Sequence, residues 1–152
     1  MIKIICVGKI KERYWSAAIE EYLKRLSKYT KIQIIEIEDD GNDDMDRSLN
    51  NEKEKILKKI KQQDYIITSE IDGIMYDSIS FSEKIEELFV AGNSDITFII
   101  GGSYGLHSDV KEKANLKLSF SKMTFPHQLF RVILLEQIYR SFRIINNEKY
   151  HK

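Results

Sequence analysis

Two rhythms of apolar and polar positions alternate along the chain, and the switching between them predicts the architecture. Ile2 to Val7 is a short apolar run rich in β-branched side chains and closed by Gly8, which predicts a first strand. Trp15, Ala18, Ile19, Tyr22, Leu23 and Leu26 then recur at helical spacing, with Glu20, Glu21, Lys24 and Arg25 on the opposite side. Ile32 to Ile37 predicts a second strand. Leu49, Ile56, Leu57 and Ile60 draw a narrower stripe through a Lys- and Glu-rich segment, the pattern of an exposed helix. Tyr65 to Ile71 predicts a third strand, closed by the turn signal Asp72-Gly73. Ser80 and Glu83 have capping-box spacing, and Phe81, Ile85, Leu88 and Phe89 form the apolar face of the next helix. The unbroken run Ile96 to Ile100 predicts a central parallel strand buried on both faces. Strands that alternate with helices in this way predict an α/β fold, a mostly parallel sheet with helices on both faces.

The last helix breaks the pattern. Pro126 suits a first helical turn, and the helix is predicted to run to about Phe142. Its apolar residues Leu129, Phe130, Val132, Ile133, Leu134, Leu135, Ile138, Tyr139 and Phe142 spread around most of the circumference, too widely for a helix resting on one sheet face. Such a helix needs a second partner, which is either the same helix of another subunit in a twofold dimer or more of its own chain.

Composition narrows the setting. A length of 152 residues with 42% apolar content fits one domain with a proper core, residues 1 to 152. With 32% charged residues, no long apolar run and no charged-then-apolar leader, the expectation is a cytoplasmic protein that does not enter the membrane. Cys6 is the single cysteine and lies in the first apolar run, where it reads as a buried structural thiol. His107, His127 and His151 lack the short spacing of a metal site, and the acidic stretch Asp39 to Asp46 reads as a solvated loop, so no metal is expected. The net charge of zero hides an asymmetry. From Lys111 onward nine basic residues face three acidic ones, a local charge of +6, which leaves −6 on residues 1 to 110. A concentrated basic end suits an anionic partner such as nucleic acid.

Candidate chemistry begins with Gly101-Gly102-Ser103-Tyr104-Gly105, directly after the buried strand and before a helix predicted to open at Ser108. Glycines there either let backbone amides approach a ligand at the binding edge of a parallel sheet, or simply make a tight strand-to-helix turn. Residues 101 to 105 formally match the nucleophile elbow of hydrolases, with Asp109 and His127 as later partners. Leu106 and His107 intervene before the helix, however, and Asp109 lies too near Ser103 to orient a histidine toward it. A dinucleotide fingerprint should follow the first strand, whereas this loop follows the fourth.

Four segments in order, I-I-G-G-S-Y-G-L at Ile99 to Leu106, L-S-F-S-K-M-T-F-P-H at Leu118 to His127, R-V-I-L-L-E-Q-I-Y-R at Arg131 to Arg140 and the terminal Y-H-K, resemble the RlmH family of SPOUT-class methyltransferases. The opening I-x-x-V-G-K and the helix segment E-Y-L-K-R-L fit as well, so the resemblance spans the chain. It implies a SPOUT fold with a C-terminal trefoil knot, an exception to unknotted topology. It also implies methyl transfer from S-adenosylmethionine to N3 of a pseudouridine in large-subunit (23S) ribosomal RNA. The implied cofactor loops are Thr68 to Glu70, Gly101 to Gly105 and Phe120 to Phe125, with Ser69, Gly101, Phe120, Ser121, Lys122, Met123, Thr124 and Phe125 as contacts. Ser69 stands where the family pattern has leucine. Arg131, His127, Tyr150, His151 and Lys152 are the implied substrate-positioning and charge-stabilising residues, with no single base assigned. The family pattern further implies a homodimer in which the tail of one subunit closes over the cofactor of the other. Near-neutral overall charge fits recognition of an assembled ribosome by shape and local charge. The alternative from another class is a non-catalytic ribosome-binding or assembly factor on the same fold.

Overall fold

The computed structural model describes residues 1 to 152. In chain order its elements are β1 (Ile2–Val7), α1 (Arg13–Leu26), β2 (Ile32–Ile37), α2 (Met45–Leu57), β3 (Tyr65–Met75), α3 (Ser78–Val90), β4 (Ile96–Ile100), α4 (Ser108–Glu112), β5 (Leu116–Ser119) and α5 (His127–Ile145). The five strands form one sheet in the order β2-β1-β4-β3-β5, and every neighbouring pair is parallel.

Alternation along the strands sends successive side chains to opposite faces, which divides the core in two. Ile4 and Cys6 of β1, Phe98 of β4 and Leu118 of β5 pack with Ile19 of α1, Ile85 of α3 and Leu134 of α5. On the other face Ile5 and Val7 meet Ile56 of α2 and Val110 of α4. Helices therefore cover both faces, as the α/β expectation required. Cys6 is fully buried, and burial pushes its thiol up to about 12. Lys3 crosses the second layer to Asp64 at 2.6 Å and to the Lys59 carbonyl at 3.0 Å, joining β1 to the turn before β3. Burial alone would raise the Asp64 carboxyl, but the bonds from Lys3 and the Lys61 amide hold it below the usual carboxylate range.

Several boundaries differ from the sequence expectation. β3 does not stop at Ile71. Ser69 and Ile74 both register with Leu118 of β5, so Glu70 to Gly73 bulge out of the pairing and the strand resumes to Met75. The Asp72-Gly73 signal thus marks a bulge inside the strand. Gly73 is required there, because a Cβ would lie 2.7 Å from the Lys117 backbone. The box at α3 is Asp77 with Ser80, one helical turn earlier than the Ser80 and Glu83 pairing. Asp44 caps α2, so the acidic stretch ends inside a helix, and Ile60 lies beyond that helix. Leu116–Ser119 forms a strand that periodicity did not reveal. α5 packs between α1 and α3, which accounts for part of its wide apolar circumference, while Leu129, Val132 and Ile133 stay only partly covered.

Candidate methyl-donor pocket

At the carboxyl edge of the sheet, the segments after β4 and β5 and the bulge within β3 surround a cavity of about 380 Å³. That volume falls in the usual range of small-molecule sites. The β3 bulge contributes Ser69, Glu70 and Ile71, the glycine loop contributes Gly101 to Gly105, and the segment after β5 contributes Phe120, Ser121, Met123, Thr124 and Phe125. His127 and Phe130 of α5 complete the wall.

Local conformation explains why these residues sit there. Gly105 has φ +78°, a left-handed geometry that folds the loop back so that its amide donates to the Gly102 carbonyl at 3.0 Å. A Cβ on Gly101 would lie 2.5 Å from the Gly105 carbonyl oxygen, so only glycine permits this closed turn. Ser121 accepts from the Met123 amide through its hydroxyl at 2.9 Å, fixing the bend after β5. Phe120, Phe125 and Phe130 pack together, with ring centroids 5.0 Å apart for Phe120 and Phe130.

The electrostatics are simple. Glu70 is the one carboxylate on the wall, and no lysine or arginine lines it. Thr68 donates its hydroxyl to Glu70 at 2.6 Å, and Lys111 stands 3.7 Å from the same carboxylate. Burial, and then the nearby Arg131 cation, hold the His127 imidazole below its ordinary value, so it is neutral at neutral pH. Apolar and aromatic surface, several hydroxyls, one carboxylate and no fixed cation fit a ligand with a flat aromatic ring, sugar hydroxyls and a cationic centre.

Most of the expected cofactor contacts meet on this wall: Ser69, Gly101, Phe120, Ser121, Met123, Thr124 and Phe125. Lys122 is exposed and does not line it. Ile71 and Phe130 join the wall without having been singled out, since only the bulge and the packing of α5 bring them there, while Ile100 and Tyr104 join it from the end of β4 and the glycine loop. Glu52 was also missed. It is buried on α2, accepts from the Ser48 hydroxyl, and lies 3.7 Å from where a Gly102 Cβ would stand, so it backs the glycine loop.

Of the expected substrate residues, His127 alone lines the cavity. Arg131, 2% exposed, turns inward and donates to Glu36 at 2.9 Å and to the Gly8 carbonyl at 2.6 Å. Its guanidinium ties β2 and the end of β1 to α5 and does not line the cavity. Tyr150 donates its hydroxyl to Glu136 at 2.9 Å, with Arg140 stacked 4.6 Å over its ring. His151 lies 3.3 Å from Arg140, and Lys152 is exposed. Glu136 is nine residues beyond His127, about 13 Å along the helix axis, and no tail residue lines the chain's own cavity. A hydrolase triad is not assembled, because the Asp109 carboxylate meets Lys53 at 3.3 Å.

Comparison with known proteins agrees with this geometry. A family model described as "Predicted SPOUT methyltransferase" matches residues 1–151. A protein of Methanococcus maripaludis named "Putative ribosomal RNA large subunit methyltransferase H" is 57% identical over 157 aligned positions, covering 99% of both chains. One of the same name from Methanococcus vannielii is 56% identical with the same coverage. A solved structure, "a probable methylase family protein from Haemophilus influenzae", superposes on 99% of this chain and 70% of its own with TM-score 0.57 at 15% identity, a likeness of fold. A full-length family match and relatives of this identity leave one assignment: the chain belongs to the SPOUT methyltransferase family, in its group of large-subunit ribosomal RNA methyltransferase H proteins.

Proposed function

We propose that this protein transfers the methyl group of S-adenosylmethionine to N3 of a pseudouridine in large-subunit (23S) ribosomal RNA, acting as a homodimer on assembled ribosomes. The observation that carries the reading is the single cavity enclosed by the β3 bulge, the glycine loop and the segment after β5. Phe120, Phe125 and Ile100 offer the adenine an apolar slot, the hydroxyls of Ser69, Ser121 and Thr124 suit a ribose, and Glu70 suits a positive charge. When bound, the cofactor supplies a methyl group activated by its sulfonium.

The protein's part is alignment and charge management. The pseudouridine N3 carries a proton between two carbonyls, and its loss leaves negative charge spread over both oxygens. His127, neutral in the pocket wall, presents a nitrogen that can accept a hydrogen bond. Tyr150, His151 and Lys152 supply a stacking ring, a hydrogen-bonding imidazole and a cation, and they act on the pocket of the opposite subunit. Arg131 serves as a positioning residue, holding the first turn of α5 against β1 and β2. Exposed Ile71, Ile74, Met75, Ile79 and Met123, together with half-covered Leu129, Val132 and Ile133, supply apolar surface for the second subunit. The same reading includes threading of the C-terminal segment as a trefoil knot and residence in the cytoplasm, consistent with the absence of any helix long and apolar enough to cross a membrane.

Radiolabelled methyl transfer to ribosomes lacking the modification, with and without prior pseudouridine formation, tests the proposal. Label should map to N3-methylpseudouridine and require the isomerised base. Ribosome binding with no S-adenosylmethionine binding would instead make the protein a non-catalytic assembly factor.

A further inference from the structure

Basic residues at the carboxyl end were the obvious RNA contacts, yet all three of its arginines are engaged within the chain. Arg131 pairs with Glu36, Arg140 with Glu136 and Arg143 with Glu148. Exposed Lys113, Lys117, Lys122, Lys149 and Lys152 keep their charge free of salt bridges at that end, and a second, compact group of unpaired cations lies on the connection between β1 and α1. Lys9, Lys11 and Arg13 are exposed there and form no salt bridge within the chain. Glu12 is the single acid between Gly8 and Ile19, and one of its carboxylate oxygens is buried. Tyr14 follows with 64% of its surface exposed, its ring edge-on to Trp15 at 4.9 Å.

This connection is held against the catalytic edge. The Gly8 carbonyl accepts from buried Arg131, the Ile10 amide donates to Glu36 at 2.9 Å, and the Lys11 amide donates to the side chain of Gln128 at 3.3 Å. Gln128 is the neighbour of His127, which lines the pocket. β1 also ends beside β4, where Val7 packs under Gly102 of the glycine loop. Three cations and one solvent-facing aromatic ring thus lie on a connection that the half-buried Arg131–Glu36 ion pair and the Gln128 contact hold to the start of α5, beside the pocket wall.

We propose that Lys9, Lys11 and Arg13 grip backbone phosphates of the ribosomal RNA strand flanking the target nucleotide, with Tyr14 stacking on an adjacent base. Exposed cations supply sequence-independent affinity for backbone phosphates, and an exposed ring supplies stacking that tolerates any base. The inference rests on the ribosomal RNA substrate proposed above and deepens it by assigning the RNA-gripping surface to the amino-terminal, net-acidic part of the chain.

The test measures binding of the full-length protein to ribosomes lacking the modification over a series of salt concentrations. Lys9→Ala, Lys11→Ala and Arg13→Ala combined should weaken binding at least tenfold and make the salt dependence shallower by about two in log-log slope. Tyr14→Ala should weaken binding by about tenfold while Tyr14→Phe retains it. S-adenosylmethionine titration on the same samples shows that each variant is folded. A triple variant with intact cofactor binding and unchanged affinity and slope overturns the proposal. So does weakened binding with an unchanged slope, which would assign the surface to a protein contact. Methyl transfer by the unaltered protein is measured in parallel. If it binds ribosomes in this salt-dependent way without transferring label, the methyltransferase reading falls and the phosphate contact stands.

Discussion

Gly101 shows how tightly single residues constrain the pocket. Any Cβ there would press into the Gly105 backbone at 2.5 to 2.6 Å, and backbone cannot step aside as a flexible side chain can. Gly101→Ala should therefore lower affinity for S-adenosylmethionine at least tenfold by calorimetry while the far-ultraviolet circular dichroism spectrum is retained. Unchanged affinity would detach the glycine loop from cofactor binding. The glycine was legible in the sequence because conformational demand leaves a residue-type trace. Arg131 was not. Helical spacing put it one turn beyond His127, but nothing local reveals that Glu36 and the Gly8 carbonyl, more than ninety residues away in the chain, will meet it. Cys6 was read correctly as a buried thiol because its apolar neighbours in β1 announced its surroundings.

Elements with strong periodicity were legible, and those defined by pairing were not. β1, β2 and β4 fall where apolar runs placed them. β5 is four residues long, Leu-Lys-Leu-Ser, and becomes a strand only because β3 lies beside it. The β3 bulge follows the same rule: Asp72-Gly73 permits a turn, and registry with Leu118 decides that the strand continues. Lys3 gives this scale an energetic test, since it joins β1 to the connection before β3. Lys3→Met strands the Asp64 carboxylate in the core and should cost about 3 to 5 kcal/mol, read from urea midpoints near neutral pH. In the unaltered protein the Asp64 carboxyl is held below its unfolded value, so the stability it contributes is present above about pH 3.9 and is lost as pH falls through the lower folded value. The gap between variant and parent should accordingly narrow in acid. A gap independent of pH would show that the loss is one of packing alone.

At the scale of the whole molecule, the proposed homodimer raises the question of which subunit's tail would serve which pocket. Within one chain Tyr150 and His151 rest on Glu136 and Arg140, while the cavity lies at the first turn of the same helix. Mixing a Gly101→Ala subunit with one lacking Tyr150 to Lys152 tests service in trans. The first has a tail and no working pocket, the second a pocket and no tail. Mixed dimers should regain about one active site per dimer in the methyl-transfer assay, whereas homodimers of either variant should stay inactive. No rescue by mixing would place tail and pocket on the same subunit.

Taken alone, the sequence determined the alternation of strands and helices, the buried central strand, the glycine turn and the family, because periodicity, conformational demand and motif order are local properties of a chain. The tertiary structure decided what depends on contact between distant segments: the β3 bulge that brings Glu70 and Ile71 to the pocket, the β5 strand, and the ion pair that draws Arg131 inward. It also decided where charge is free. The arginines of the cation-rich carboxyl end are tied to carboxylates, while an amino-terminal part that is acidic overall keeps Lys9, Lys11 and Arg13 unpaired on the connection that contacts the start of α5, because net charge is counted along the chain and electrostatic attraction acts through space.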